Sequence, residues 1–306
     1  MKPPQFGYSR PESVAEALAV LGSLGSEGKV LAGGQSLIPL LSMRLAAPAH
    51  LVDINRLAEL SYVRVRDGQV AVGALARHSQ VLRDPAATAA QPLLAKALAL
   101  VAHPVIRNRG TTVGSIVHAD PAAELTAVLA LLSGSVRLAG HGAERIVPAE
   151  AFFLGPLESD VRPGELATEA IFPVLPARAG CAFAEVSRRH GDYAICGVAA
   201  VVQLDESGVI SGASAAYLSV APRPLVIDLT AACAGRGAAT AGRRPDLADA
   251  AGSGPDFAEA ARLAMARLDP EPDIHATADY RRHLAGVLTE RALREALVQA
   301  RERTHG

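Results

Sequence analysis

A chain of 306 residues with 30 Lys+Arg against 31 Asp+Glu has no charge excess to draw it to nucleic acid or to an anionic membrane. Half of its residues are apolar, but aromatics make up only 4% and Trp is absent, which leaves no base-stacking platform. No apolar run approaches the ~20 residues that span a bilayer, and the N-terminus lacks the apolar core of a signal peptide, so a cytoplasmic protein of two or three modules is expected.

In chain order, Ser9-Arg10-Pro11-Glu12 has the spacing of a capping box, and Val14, Ala17, Leu18 and Leu21 then share a helical face. This predicts a helix ending near Leu21 and a flexible link, 22–28, into a strand at Val30. The chain then reads Val30-Leu31-Ala32-Gly33-Gly34-Gln35-Ser36-Leu37: a strand end, two glycines able to take positive φ, and Ser36 as cap of the next helix. Missing side chains let a ligand approach the main chain, and free amides at a helix start favour an anion such as a nucleotide pyrophosphate. A plain strand-to-helix turn that needs Gly-Gly for geometry alone satisfies the same pattern. Residues 51–54 read as the following strand and close a small strand–helix–strand module near Asn55.

Alternating runs at 62–65 and 70–74 flank an Asp67-Gly68 turn and predict a hairpin. Helices are expected over 92–102 and 121–132, the second with Asp120 as cap and Pro121 in its first turn. Between them, 105–121 is too polar and too rich in small residues for core, and reads as a loop. Hydroxyls on Thr111, Thr112 and Ser115, with main-chain amides around Gly114, offer uncharged donors to a nucleotide or a flavin edge. A surface loop with a solvated arginine pair, Arg107 and Arg109, is the blander reading.

Strands are expected at 136–139, 144–147 and 166–172, with Pro163-Gly164 as a turn wanting positive φ, and Pro173, Pro176 and Gly180 mark a boundary. Runs at 182–186, 194–204 and 209–218 suggest a three-stranded meander, and helical patterns fill the rest, most clearly 279–302. Tyr193, just past Gly191-Asp192, sits where it can stack on a flat ligand with its hydroxyl in water, or simply pack.

Cys181, Cys196 and Cys233 are odd in number and far apart, arguing against a disulfide framework and against an iron–sulfur or zinc site. Redox chemistry would need a bound organic cofactor. No G-x-S-x-G, HExxH, Walker or G-x-G-x-x-G pattern is present, and the histidines lack ligand spacing, so no catalytic residue is assigned. Only His118, inside the second loop, stands near a candidate site. Asp120 and Glu124 are possible acids or bases, but both fall in the first turn of the predicted helix, where acidic residues are expected for dipole reasons alone.

Residues 31–39, with Arg44-Leu45-Ala46 and 50–54, resemble the first FAD-binding segment of the medium, flavoprotein subunit of molybdenum hydroxylases. That family includes carbon monoxide dehydrogenase medium chains and the xanthine dehydrogenase FAD domain. Residues 107–115 with 119–124 resemble its second segment, and Gly191-Asp192-Tyr193-Ala194 and 279–288 resemble its C-terminal domain. The match runs through nearly the whole chain in order.

The resemblance implies an α+β fold: a two-lobed FAD-binding domain of the PCMH (vanillyl-alcohol-oxidase-like) type, 1–57 and 58–175, then a smaller α+β C-terminal domain, 176–306, with a three-stranded sheet and helices. It implies that Ala32, Gly33, Gly34, Gln35, Ser36 and Leu37, with Thr111, Thr112, Val113, Gly114 and Ser115, clasp the FAD pyrophosphate. Tyr193 would lie against the isoalloxazine, Glu124 would contact the adenosine part where the family usually has Asp, and Leu166 would join the cofactor contacts. Two departures stand out: Thr112-Val113-Gly114 replaces the commoner Ile-Gly-Gly, and Gln35 replaces the commoner His. A Val held at positive φ would cost about 1 kcal/mol or more, so a different local loop is expected.

By the same resemblance the chain is an electron-transfer subunit of a heterotrimer. A large partner subunit would hold the molybdenum cofactor, a small one two-iron iron–sulfur clusters, and FAD in this chain would pass electrons to an external acceptor, in a dimer of heterotrimers. A self-contained FAD-dependent reductase or oxidase of the same fold, and a non-catalytic module that has lost its cofactor, are the alternatives.

Overall fold

The computed structural model describes residues 2–234 and 256–305. The chain falls into two compact units, Met1–Val174 and Leu175–Gly306.

The first unit begins with β1 (Gly7–Ser9), α1 (Val14–Leu24), β2 (Gly28–Leu31), α2 (Leu37–Ser42) and β3 (His50–Asp53). The three strands form a parallel sheet in the order β1-β3-β2, with Leu51 and Val52 of the central strand buried. Helix α1 starts later than the first capping pattern predicts. Ser13, not Ser9, is its cap: its hydroxyl accepts the Glu16 amide at 3.1 Å, and the Glu16 carboxylate takes the Glu12 amide at 2.8 Å. Ser9 and Ser13 both offer S-x-x-E spacing, and pairing of Ser9 with Val52 in the sheet leaves only Ser13 for the helix.

Next come β4 (Val63–Arg66) and β5 (Gln69–Gly73), a hairpin whose Asp67 and Gly68 take φ of 52° and 70°, as its two-residue turn requires. A helical segment follows: α3 (His78–Arg83), α4 (Pro85–Ala90), α5 (Pro92–Leu100), α6 (Pro104–Arg107), α7 (Thr112–His118) and α8 (Glu124–Leu131). Then β6 (Ser135–Gly140), β7 (Ala143–Pro148), α9 (Ala149–Phe152), β8 (Phe153–Gly155), β9 (Glu158–Ser159) and β10 (Leu166–Pro173) complete the unit. A five-stranded antiparallel sheet runs β4-β5-β10-β6-β7, and the central β10 is buried from Leu166 through Phe172. Gly164, in the turn before it, has φ 83°.

Two expectations in this segment are corrected. The stretch 105–121 is not a loop: most of it forms α6 and α7, because Pro104 and Thr111 each start a helical turn. Helix α8 starts at Glu124 rather than Pro121, since the Asp120 carboxylate accepts the Ala122 amide at 2.8 Å and builds a turn there.

The second unit is a meander, β11 (Ala179–Ser187), β12 (Ala194–Leu204), β13 (Ile210–Leu218) and β14 (Leu225–Asp228), followed by α10 (Thr230–Cys233), α11 (Ala258–Arg267) and α12 (Ala278–His305). The three strands read from the sequence thus carry a fourth, β14, whose short run between Pro224 and the Asp228 turn gives little alternation to read. The part of the helical reading that falls on 235–255 lies outside the described residues. Helix α12 crosses β11 with Ala292, Ala296 and Ala300 fully buried, and Gly180 of β11 meets the backbone of Ala296 and Ala300 so closely that a Cβ would overlap both. Tyr217 and Thr289 join their hydroxyls across this core at 2.7 Å. All three cysteines are buried, and none is in a disulfide. No helix among the described residues is long and apolar enough to cross a membrane.

Candidate functional site

Strand β2 delivers the chain to Ala32, and the glycines after it have separate tasks. Gly34 alone takes positive φ, 73°, which reverses the chain into α2. Gly33 is needed for space: a Cβ there would lie 2.5 Å from the Arg109 carbonyl oxygen and 2.8 Å from the Gly110 Cα. The two glycine-bearing loops, more than seventy residues apart in sequence, therefore meet backbone to backbone at Gly33.

Ser36 does not cap α2. It has helical dihedrals, φ −97° and ψ −47°, and makes no side-chain capping bond, because the turn already closes through the Ile38 amide on the Gly34 carbonyl at 3.0 Å. The Gln35 side chain folds back on the Gly33 carbonyl at 3.0 Å and stiffens the loop from inside. Among the described residues, the amides of Gly33, Gly34, Gln35 and Ser36 donate to no protein acceptor. These four consecutive residues are half-buried around one positive-φ glycine, and a run of unpaired N–H donors of this kind suits an anion.

The second loop contributes the start of α7. Thr111 is its cap, accepting the Gly114 amide at 3.2 Å, and the capping oxygen stands where a Cβ on residue 114 would go. Glycine at 114 and threonine at 111 thus require each other. The Thr112 hydroxyl faces inward to His78 Nδ1 at 3.3 Å, and Val113 is a buried helical residue at ordinary negative φ. The cost anticipated for Val113 does not arise, since its position is the first turn of a helix. Only Gly114 and Ser115 of this segment turn toward the surface.

Residues that the sequence did not single out tie the loops together. Asn55 donates to the Ala32 carbonyl at 2.8 Å and to Asp53 Oδ1 at 2.6 Å, while its own oxygen accepts Arg77 Nη2 at 2.7 Å. Arg77 Nη1 in turn holds the Arg109 carbonyl, and Arg77 pairs with Thr111 as an isolated antiparallel bridge. Asp53 is completed by the Tyr8 hydroxyl at 2.6 Å and by Arg10 at 3.7 Å. Burial pushes the Asp53 carboxyl up, but the bonds from Tyr8 and Asn55 outweigh it and hold the group below the usual carboxylate range. Asn55 directly follows a predicted strand end, the only sequence signal that could have drawn attention to it.

Behind the second loop, His78 is 4% exposed and donates its amide to the Gly110 carbonyl at 3.0 Å. Burial, with a smaller push from Arg107, lowers its pKa from 6.5 to about 4. Below pH 6.5 the unfolded chain takes up a proton here that the folded chain refuses. Stability should therefore fall as pH drops from 6.5 to about 4, by on the order of 3 kcal/mol, and be unaffected above that window. Melting curves over this range should show the drop, and a His78→Asn variant, which cannot titrate, should flatten it.

The other expected contacts are carried by other elements. Glu124 is the first residue of α8 and Leu166, 2% exposed, is part of the β10–β6 ladder. Tyr193 belongs to the second unit, where it leaves the start of β12 and is 67% exposed. His118 closes α7 half-buried, and burial lowers its pKa. Among the described residues no group of three or more His, Cys, Asp or Glu is placed to hold a metal ion.

A parallel-sheet lobe, an antiparallel sheet and a run of unpaired backbone donors where two glycine loops meet suit a nucleotide-binding protein, and the family comparison gives its class. Residues 4–175 match the FAD binding domain in molybdopterin dehydrogenase, residues 181–296 match the CO dehydrogenase flavoprotein C-terminal domain, and the chain belongs to that flavoprotein family. It is 42% identical over 305 residues to the 6-hydroxypseudooxynicotine dehydrogenase complex subunit alpha of Paenarthrobacter nicotinovorans, covering 98% of this chain and 97% of that one. A carbon monoxide dehydrogenase structure from Hydrogenophaga pseudoflava superposes with a TM-score of 0.87 at 36% identity, covering 98% of this chain and 99% of that chain. Quinoline 2-oxidoreductase from Pseudomonas putida 86 gives 0.83 at 34% identity, covering 99% and 100%. The chain is thus an FAD-binding oxidoreductase subunit of the multi-subunit molybdenum enzymes.

Proposed function

We propose that this chain is the electron-transfer flavoprotein subunit of a molybdenum hydroxylase. It takes electrons from the iron–sulfur clusters of a small partner subunit, fed by a molybdenum cofactor in a large one, and hands them to an external acceptor in the cytoplasm. The assembly we infer is a dimer of heterotrimers. FAD supplies the two-electron store that links these partners.

The chain's own residues bind and orient that group. The single observation that carries the reading is the set of unpaired amides from Gly33 to Ser36, set against the second loop at van der Waals distance. A diphosphate bridge needs several N–H donors arranged around it, and backbone donors supply them without a lysine whose charge would need its own compensation. We assign Ala32 to Leu37, with Thr111 to Ser115, to this clasp, Glu124 and Leu166 to flanking contacts, and Tyr193 to the isoalloxazine face. Residues 1–57 and 58–175 are read as the two lobes of the FAD-binding domain, and 176–306 as the C-terminal domain.

Expression of this chain together with its neighbouring subunits should yield a coloured complex with flavin and iron–sulfur absorption and bound molybdenum. The isolated chain should retain FAD and turn over no substrate alone. Absence of flavin bands after FAD addition would overturn the proposal, and substrate turnover by the isolated chain would favour the self-contained flavoenzyme instead.

A further inference from the structure

Arg281, in the second unit, is a charged side chain where charge is expensive. Arg281 of α12 is 6% exposed, and its Nε is covered and makes no hydrogen bond. Its guanidinium is aimed at backbone. Nη1 donates to the Ile195 carbonyl at 2.6 Å and to the Ser219 carbonyl at 2.9 Å, and Nη2 pairs with Asp273 at 2.6 Å.

The location of those carbonyls gives the arrangement its meaning. The β12–β13 ladder runs only as far as Gly197 opposite Leu218, so Ile195 and Ser219 lie just past its end and have no partners there. On the other side, β11 pairs Ser187 with Ala194 after a register slip, and that is the last pair. Tyr193 is the next residue out. Ser219, held at φ 62°, sends its hydroxyl to the Ala194 carbonyl at 2.6 Å. The carbonyls of Ala194 and Ile195, the first two residues of β12, are therefore held by Ser219 and Arg281 on the side where β13 no longer pairs with them. Asp273 is fixed in turn, since its other oxygen accepts the His275 and Ala276 amides at 2.8 and 2.9 Å.

We propose that Arg281, with Ser219, is a positioning residue for Tyr193: it anchors the first two residues of β12, which β13 does not reach, so that the tyrosine ring is presented at a set angle to the flavin. This rests on the reading that Tyr193 lies against the isoalloxazine. A planar guanidinium suits the task because it reaches two carbonyls and a carboxylate at once, which a lysine ammonium on a flexible stem does less well.

The test uses the assembled, FAD-loaded complex and reads flavin fluorescence and reduction potential, with FAD content and far-UV circular dichroism confirming that each variant is folded and loaded. Tyr193→Leu should raise the fluorescence several-fold by removing the stacked ring. Arg281→Met and Ser219→Ala should each reproduce part of that rise, Arg281→Lys a smaller part, and none should add to it in the Tyr193→Leu background. If Tyr193→Leu changes nothing, the placement of Tyr193 at the flavin is wrong and the proposal falls with it. If Tyr193→Leu raises the fluorescence while folded Arg281→Met or Ser219→Ala does not, Tyr193 is at the flavin but Arg281 does not position it. Ser219→Ala, which removes only one hydroxyl, decides the matter should Arg281→Met fail to fold.

Discussion

Gly33→Val should abolish FAD retention while the second unit stays folded. The new Cβ would fall 2.5 Å from the Arg109 carbonyl oxygen and 2.8 Å from the Gly110 Cα, and both neighbours are backbone that cannot swing aside. The loops must part, at a cost of about 1–3 kcal/mol or more in strain, and the donors they present lose their common focus. A separation near 1 Å is enough to break several hydrogen bonds at once, so the affinity should fall by more than about 100-fold. Equilibrium dialysis against FAD measures the loss, and a preserved melting transition of the fragment 175–306 within the full chain shows that it is local. FAD binding at the parental affinity would show that the cofactor does not sit at this junction.

Asn55→Leu should come next in size. The substitution keeps the branched shape, in a somewhat bulkier side chain, but deprives the Ala32 carbonyl and the Arg77 guanidinium of their common partner, and it leaves Asp53 one donor short. Removing a partner from a half-buried charged group costs about 1.5–3 kcal/mol, so FAD affinity should fall by roughly 10- to 100-fold. Calorimetric titration of the purified chain with FAD reads this directly. An affinity within a factor of two of the parent would mean that the loops hold their spacing without the Asn55–Arg77 link.

What the sequence disclosed, and what it hid, follows from the range of the forces involved. Strands at 70–74, 166–172 and 194–204 were legible because alternation and apolar runs are local. The turn residues Asp67-Gly68 and Gly164 were legible because positive φ selects residue type. Ser36 was misjudged as a cap because a serine before a helix has the right identity whether or not its hydroxyl is used, and here the backbone of Gly34 closes the turn instead. Val113 looked like an obstacle only while 105–121 was taken for a loop; once Thr111 starts a helix, a β-branched residue one position later is unexceptional. Arg77 and Asn55 were invisible for a different reason. Their importance lies in partners at Ala32 and Arg109, tens of residues away, and no local pattern encodes such a meeting. The family resemblance supplied the pairing of the two glycine loops that periodicity could not.

The close seating of Gly180 against Ala296 and Ala300 has a consequence at the opposite end of the same helix. With no side chain between them, strand and helix backbones act as a key in a slot, and α12 cannot slide along β11 without a steric collision. Arg281 lies fifteen residues upstream of Ala296, about 22 Å along a helix rising 1.5 Å per residue. A slip of one residue would carry the guanidinium ~1.5 Å and break its hold on the peptide groups beside Tyr193. The longest helix among the described residues therefore works as a ruler: a zero point set by one glycine fixes where an arginine arrives about two nanometres away.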